Sequence, residues 1–238
     1  MVKQFRNSAW VLSLGLIIGL IGLGALLSNA ALQIKQYERS VTVKGLAEQE
    51  LPADIVIWPI QFTLADNNLA NLYENAEQST QKIRAFLLLN GLTENDISVA
   101  PPAIQDKSAQ SYGNNQSEYR YTATQTVTVY SEQIDKVREL MPRISELGKQ
   151  GIVIKGDDYQ ARTEYIFNRL NHIKPEMIEE ATQNARAVAL KFANDSNSEL
   201  GKIKRASQGS FSIRSRDKNN PHIKKIRVVS TIEYYLSD

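Results

Sequence analysis

The chain has 238 residues, 42% of them hydrophobic and 23% charged, which supports an ordinary buried core and argues against intrinsic disorder. It contains no cysteine, which excludes disulfides, thiolate nucleophiles and cysteine-bound zinc or iron–sulfur centres. A net charge of +2 is too small to draw the whole molecule to nucleic acid, although Lys202 to Arg227 gathers nine Lys/Arg against one acid, Asp217.

In chain order, the first predicted element is Ala9 to Leu27, nineteen uncharged residues following Lys3 and Arg6. That length suits a helix crossing ~30 Å of hydrocarbon. The preceding positive charges are expected to stay cytoplasmic, which exports everything after Leu27. Ser28-Asn29-Ala30 followed by Ala31 also satisfies the small-residue rule for signal peptidase. Two outcomes therefore stand open: a single-pass membrane anchor, or a soluble exported product cleaved after Ala30. The apolar run exceeds the ~7–15 residues of a signal-peptide core, which favours the anchor. Gly15 and Gly19 form a GxxxG that allows two such helices to approach closely. The predicted division is 1–32 anchor or signal peptide, 33–39 polar tether and 40–238 one exported domain.

The domain opens with two predicted strands. Val41 and Val43 alternate with Thr42 and Lys44, and further on Val56, Trp58, Ile60, Phe62 and Leu64 share one face. Pro59 cannot donate to a ladder, so the second strand is expected at a sheet edge or bulged there. Between them Gly45 stands alone with Glu48 and Glu50 beyond it, a poor match to any phosphate-binding loop, and is predicted to be a turn. A helix is predicted over Asn68 to Asn90, closed by Gly91, and a short strand over Ile97 to Val99. A polar loop, Gln105 to Ser117, follows with its tip at Gly113-Asn114-Asn115. The run Tyr119 to Tyr130 reads as a strand with Thr122, Thr124, Thr126 and Thr128 on one face. A second helix starts after Ser131 and is kinked or shortened by Pro142. A strand is predicted over Tyr159 to Asn168, and a third helix from Pro175 to Asn194 with an alanine-rich stripe, Ala181, Ala185 and Ala189. Two final strands, Lys202 to Ile213 and Ile223 to Leu236, flank a basic turn, Arg214 to Pro221. This order points to an α+β fold with largely antiparallel sheets covered by about three helices.

Chemistry-bearing patterns are sparse. The two histidines, His172 and His222, fall in no metal-ligand spacing, and no GxSxG elbow is present. Among the carboxylate candidates Glu176, Glu179 and Glu180, the first two suit the first turns of a helix, and Asp157-Asp158 suits a turn. No catalytic, cofactor or metal-binding residue is predicted. One anionic-surface set is predicted: Lys202, Lys204, Arg205, Arg214, Arg216, Lys218, Lys224, Lys225 and Arg227. Its plainer explanation is a solvated strand face, where lysine discourages edge-to-edge aggregation.

Four stretches carry a family resemblance: VTVKGLAEQELPADIVIWPIQF, YRYTATQTVTV, KPEMIEEATQNARAVALKFANDSNSELGKIKRASQG and IRVVSTIEYYL. They resemble the SIMPL-domain (DUF541) family of bacterial envelope proteins across about Ser40 to Leu236. The most specific pieces are the V-x-V-x-G opening with Ala53-Asp54, and the alanine-spaced helix followed by Leu200-Gly201. The resemblance implies a non-enzymatic periplasmic module that self-assembles, since ring-like or channel-like homo-oligomers are known among similar antigens. It also implies a link to stress, and it carries no catalytic residue over. The homo-oligomer is expected to use strand edges and the alanine face, with membrane contact through the N-terminal helix and no nucleic acid. Two alternatives are weighed beside it: an envelope hydrolase or lyase using His172, Asp157 and Glu176 under the Gln105 to Ser117 loop, and a binder of anionic lipid headgroups or polyanions.

Overall fold

The computed structural model describes residues 14–30, 39–109, 118–156 and 161–237. Residues 14–30 form helix α1, and the rest is an α+β fold with two sheets and four further helices. Among the described residues no helix is long and apolar enough to cross a membrane; residues 9–13 of the expected span lie outside them.

The chain divides into two compact units, one of Met1–Glu48, Lys174–Ser212 and Arg227–Asp238, the other of Gln49–Ile173 and Ile213–Ile226. The second unit contains the larger sheet. Its central strands are β2 (Ile55–Asp66) and β5 (Tyr121–Ser131), paired antiparallel over their whole length from Val56↔Ser131 to Asp66↔Tyr121. The far side of β5 pairs with β3 (Ile97–Val99) and β4 (Ala103–Asp106), and the far side of β2 with β6 (Val153–Ile154) and β7 (Glu164–Ile166). Pro59 thus sits on a central strand and not at a continuous edge. It falls between the stretch paired with β7, Ile55 to Ile57, and the stretch paired with β6, Phe62 to Thr63, where a missing N–H costs no ladder bond to either.

Helix α2 (Leu69–Leu89) covers this sheet. Asn68 caps it, its Oδ1 accepting from the backbone N–H groups of Ala70 and Asn71, and Gly91 at φ +86° follows its end. Ile83, Phe86 and Leu87 pack on Val56, Trp58, Ile60, Phe62, Val127 and Val129. Beyond β5 the predicted second helix is broken as Pro142 requires: α3 (Ile134–Leu140), a 3₁₀ stretch Met141–Ile144 and α4 (Ser145–Lys149). Of the predicted strand over Tyr159 to Asn168 only β7 is regular, and residues 157–160 lie outside the described chain, as does 110–117 of the expected loop.

The smaller sheet has the order β1-β10-β8, with β1 at Ser40–Pro52, β8 at Glu199–Gln208 and β10 at Ile223–Ser237; β9 (Ser212–Ser215) also pairs with β10. In the first unit it is covered by α5 (Leu170–Asp195), whose buried stripe is Met177, Ala181, Ala185, Ala189 and Ala193. Three features depart from the predicted pattern. Gly45 is no turn: β1 runs straight through it, and a Cβ there would lie 1.8 Å from the Ala181 carbonyl oxygen and 2.4 Å from the Ala185 nitrogen. Helix backbone and strand backbone touch, which only a glycine opposite alanines permits. Second, α5 begins five residues ahead of Pro175, leaving the proline inside the helix. The third concerns the strand predicted over Lys202 to Ile213, which is interrupted between β8 and β9. There Gly209 donates its N–H to the Val229 carbonyl at 2.9 Å, and a Cβ would meet that same oxygen at 2.8 Å.

Candidate functional site

The anionic-surface set divides between the two units, and most of its charge is already engaged. In the first unit Lys204 pairs with Glu233 at 3.1 Å, and Arg227 lies 3.6 Å from Glu48. Glu233 also accepts from the Ser40 hydroxyl at 2.6 Å, and these bonds, that of Ser40 first, hold its carboxyl below the ordinary range. Lys202 and Arg205 are exposed on β8.

In the second unit Arg216 donates to Asp217 at 2.9 Å, and Asp217 Oδ1 also accepts from the backbone N–H groups of Asn219 and Asn220 at 2.8 Å each. The Arg216 bond leads these in lowering the Asp217 carboxyl to about 2. Arg214 and Lys218 are exposed, and Lys225 has a partner of its own. Lys224 leaves the surface set altogether. It is 9% exposed, donates to Ser215 Oγ at 3.3 Å, and burial pushes its amine below the usual lysine value, with Glu164 opposing. Period-two alternation assigns Lys224 to the core-facing side of β10 with Ile226 and Val228, a position that its charge conceals in the sequence.

The residues of the catalytic alternative are described only in part. His172 and Glu176 lie in the first turns of α5 and are exposed, and Asp157 and Asp158 are outside the described residues. Among the described residues no three His, Asp or Glu side chains are grouped as a metal ion requires. His222 is half-buried instead of free on a turn. Its ring tilts at 59° against Tyr165 with centroids 6.0 Å apart, and its carbonyl accepts from Ala53 N–H at 2.8 Å. It lines a cleft of about 320 Å³ with Pro52, Ala53, Ile134 and Lys136. Desolvation and, next, Arg138 lower its pKa.

Asp54, half of the Ala53-Asp54 pair, has a structural job that pattern reading could not supply. Its Oδ2 accepts from the backbone N–H groups of Asn168 at 2.6 Å and Arg169 at 3.1 Å, and its Oδ1 from the Arg169 side chain. These N–H groups sit immediately before α5, so the carboxylate satisfies donors that a helix start leaves open. This explains how α5 begins ahead of Pro175. Gly15 and Gly19 lie on α1, with no atom within 4 Å of a Cβ at either.

Two antiparallel sheets, a glycine on the first strand meeting an alanine-striped helix, and an Asp bonded to the backbone ahead of that helix define the α+β domain. The chain belongs to the SIMPL family, described as "Protein of unknown function (DUF541)", which it matches over residues 41–228. No curated protein matches it.

Proposed function

We propose that the chain is a non-enzymatic module of the bacterial cell envelope, tethered to the inner membrane by its N-terminal helix, with residues 40–238 in the periplasm assembling into a homo-oligomeric scaffold or ring. One observation carries this reading: the apolar surface that the fold leaves uncovered. Nine large apolar side chains between Leu14 and Leu27 are each more than half exposed on α1. Surface of that extent is unfavourable in water by roughly 25 cal/mol per Å² and calls for a second apolar phase.

The contact between copies is not the alanine face. Ala181, Ala185 and Ala189 are fully buried, with Ala185 and Ala189 in one cluster with Val43, Ile232 and Tyr234, so that face is spent inside the subunit. On α5 it is Val188, Leu190 and Phe192, 39–55% exposed, that remain for a neighbour. Native mass is the test, taken on the full-length chain in detergent and on residues 33–238 in buffer. Two large, defined species place the assembly in the exported domain, and association of the full-length form alone assigns it to α1 and its Gly15/Gly19 pair. Two monomers overturn the scaffold reading.

A further inference from the structure

The edge of the larger sheet is interrupted at Ala100–Pro102, because neither Pro101 nor Pro102 has an N–H to give a ladder. Gln125 bridges the break. It occupies a core-facing position of β5 between Ala123 and Val127, yet it is an amide, 8% exposed. Its Nε2 donates to the Ala100 carbonyl at 2.9 Å, and its Oε1 accepts from Thr80 Oγ1 of α2 at 3.3 Å. An amide nitrogen has two donors and a hydroxyl has two lone pairs, so these bonds leave hydrogen-bonding capacity on both residues.

Gln125 and Thr80 line a cleft of about 550 Å³ together with Tyr73, Glu74, Glu77 and Arg84 of α2, and with Val99 and Pro102 opposite. Arg84 is engaged by Glu94. Glu74 and Glu77 receive only the neutral amides of Gln78 and Gln81, at 3.4 Å each. Among the described residues no cation pairs with either carboxylate. Beside them the Tyr73 side chain is 53% exposed. The lining therefore combines two carboxylates with no cationic partner among the described residues, an exposed tyrosine, a short apolar wall, a buried polar floor and the Arg84 guanidinium held by Glu94. An anion would meet two carboxylates against one engaged guanidinium, and a neutral ligand leaves both charges unmatched.

An alkylammonium matches every part: its charge meets carboxylate and ring face, and its methylenes cover the apolar wall. We propose that this cleft is a binding site for a small aliphatic polyamine. The proposal is independent of the assembly argued above.

Calorimetric titration of the full-length chain in neutral detergent with spermidine tests it. The expected result is saturable one-site binding that weakens with salt. Glu74→Gln/Glu77→Gln should weaken it by about tenfold or more, equivalent to ~1.4 kcal/mol, and Tyr73→Leu by severalfold. The control Asp135→Asn/Glu139→Gln, which removes two acids away from the cleft, should leave it unchanged. Absence of saturable binding overturns the proposal. So does equal weakening by both double variants, or displacement of spermidine by equimolar magnesium, since either reduces the effect to diffuse charge attraction. Tyr73→Leu decides the matter if the double cleft variant does not fold, and full retention of binding in that protein also counts against the site.

Discussion

A methyl group at Gly45 would fall 1.8 Å from the Ala181 carbonyl oxygen and 2.4 Å from the Ala185 nitrogen. Both are backbone atoms, so no rotamer change relieves the clash, and α5 must lift away from β1. Gly45→Ala is expected to cost ~3 kcal/mol, at the upper end of overpacking penalties, read as a fall in thermal midpoint. The same β1–α5 contact is reinforced by Asn184, which donates to the Leu46 carbonyl at 2.8 Å. A different residue-scale effect concerns pH. The Arg120 side chain donates to Asp106, with Nη2 to Oδ2 at 3.0 Å, and this bond, assisted by the Ser108 hydroxyl, lowers the Asp106 carboxyl to about 2. A depressed carboxylate pKa contributes stability that is present above the unfolded value near ~4 and lost as pH falls toward 2. Arg120→Gln should therefore raise the Asp106 pKa toward the ordinary range, as followed by side-chain NMR titration, and reduce the acid resistance of the β4–β5 ladder.

At the scale of elements, α5 depends on Asp54. Removing that carboxylate strips two backbone N–H groups and the Arg169 side chain of their acceptor. Asp54→Ala is expected to destabilise by ~2 kcal/mol, whereas Asp54→Asn, which keeps an acceptor oxygen, should lose less; chemical denaturation of both variants distinguishes them. This element also shows what sequence reading reaches. Helix α2 is legible because Leu72, Ala76, Ile83, Phe86 and Leu87 keep a helical period, although its cap is Asn68 and not Asp66 or Asn67 as the sequence suggests. Pro142 announces the break between α3 and α4. Gly45 is not legible, because a turn and a close approach select the same residue, and the atoms that decide between them belong to Ala181 and Ala185, far along the chain. The start of α5 fails for a related reason, since its acceptor comes from Asp54 and not from a local cap. The cleft beside α2 is hidden too: Gln125 resembles one more polar residue in a threonine-rich strand until its inward position on β5 is known.

For the whole molecule, the first unit is gathered from three separated segments, and β1 and β10 supply residues to both units. Losing either strand therefore removes residues from both. Calorimetry of residues 33–238 is expected to show one cooperative unfolding transition; two resolved transitions would contradict this.

The order β1-β10-β8 also governs how fast the chain can fold. The middle strand of the smaller sheet arrives last, and Ser40 bonds to Glu233 across 193 residues of chain. Until β10 is in place, neither β1 nor β8 has its ladder partner, and Gly45 has no finished sheet on which to receive α5. Loop closure over such a separation precedes any gain in free energy, so refolding is expected on the slow side for a domain of this size. During that interval two unpaired strands and an apolar helix stand exposed together, and this intermediate is the state most open to aggregation.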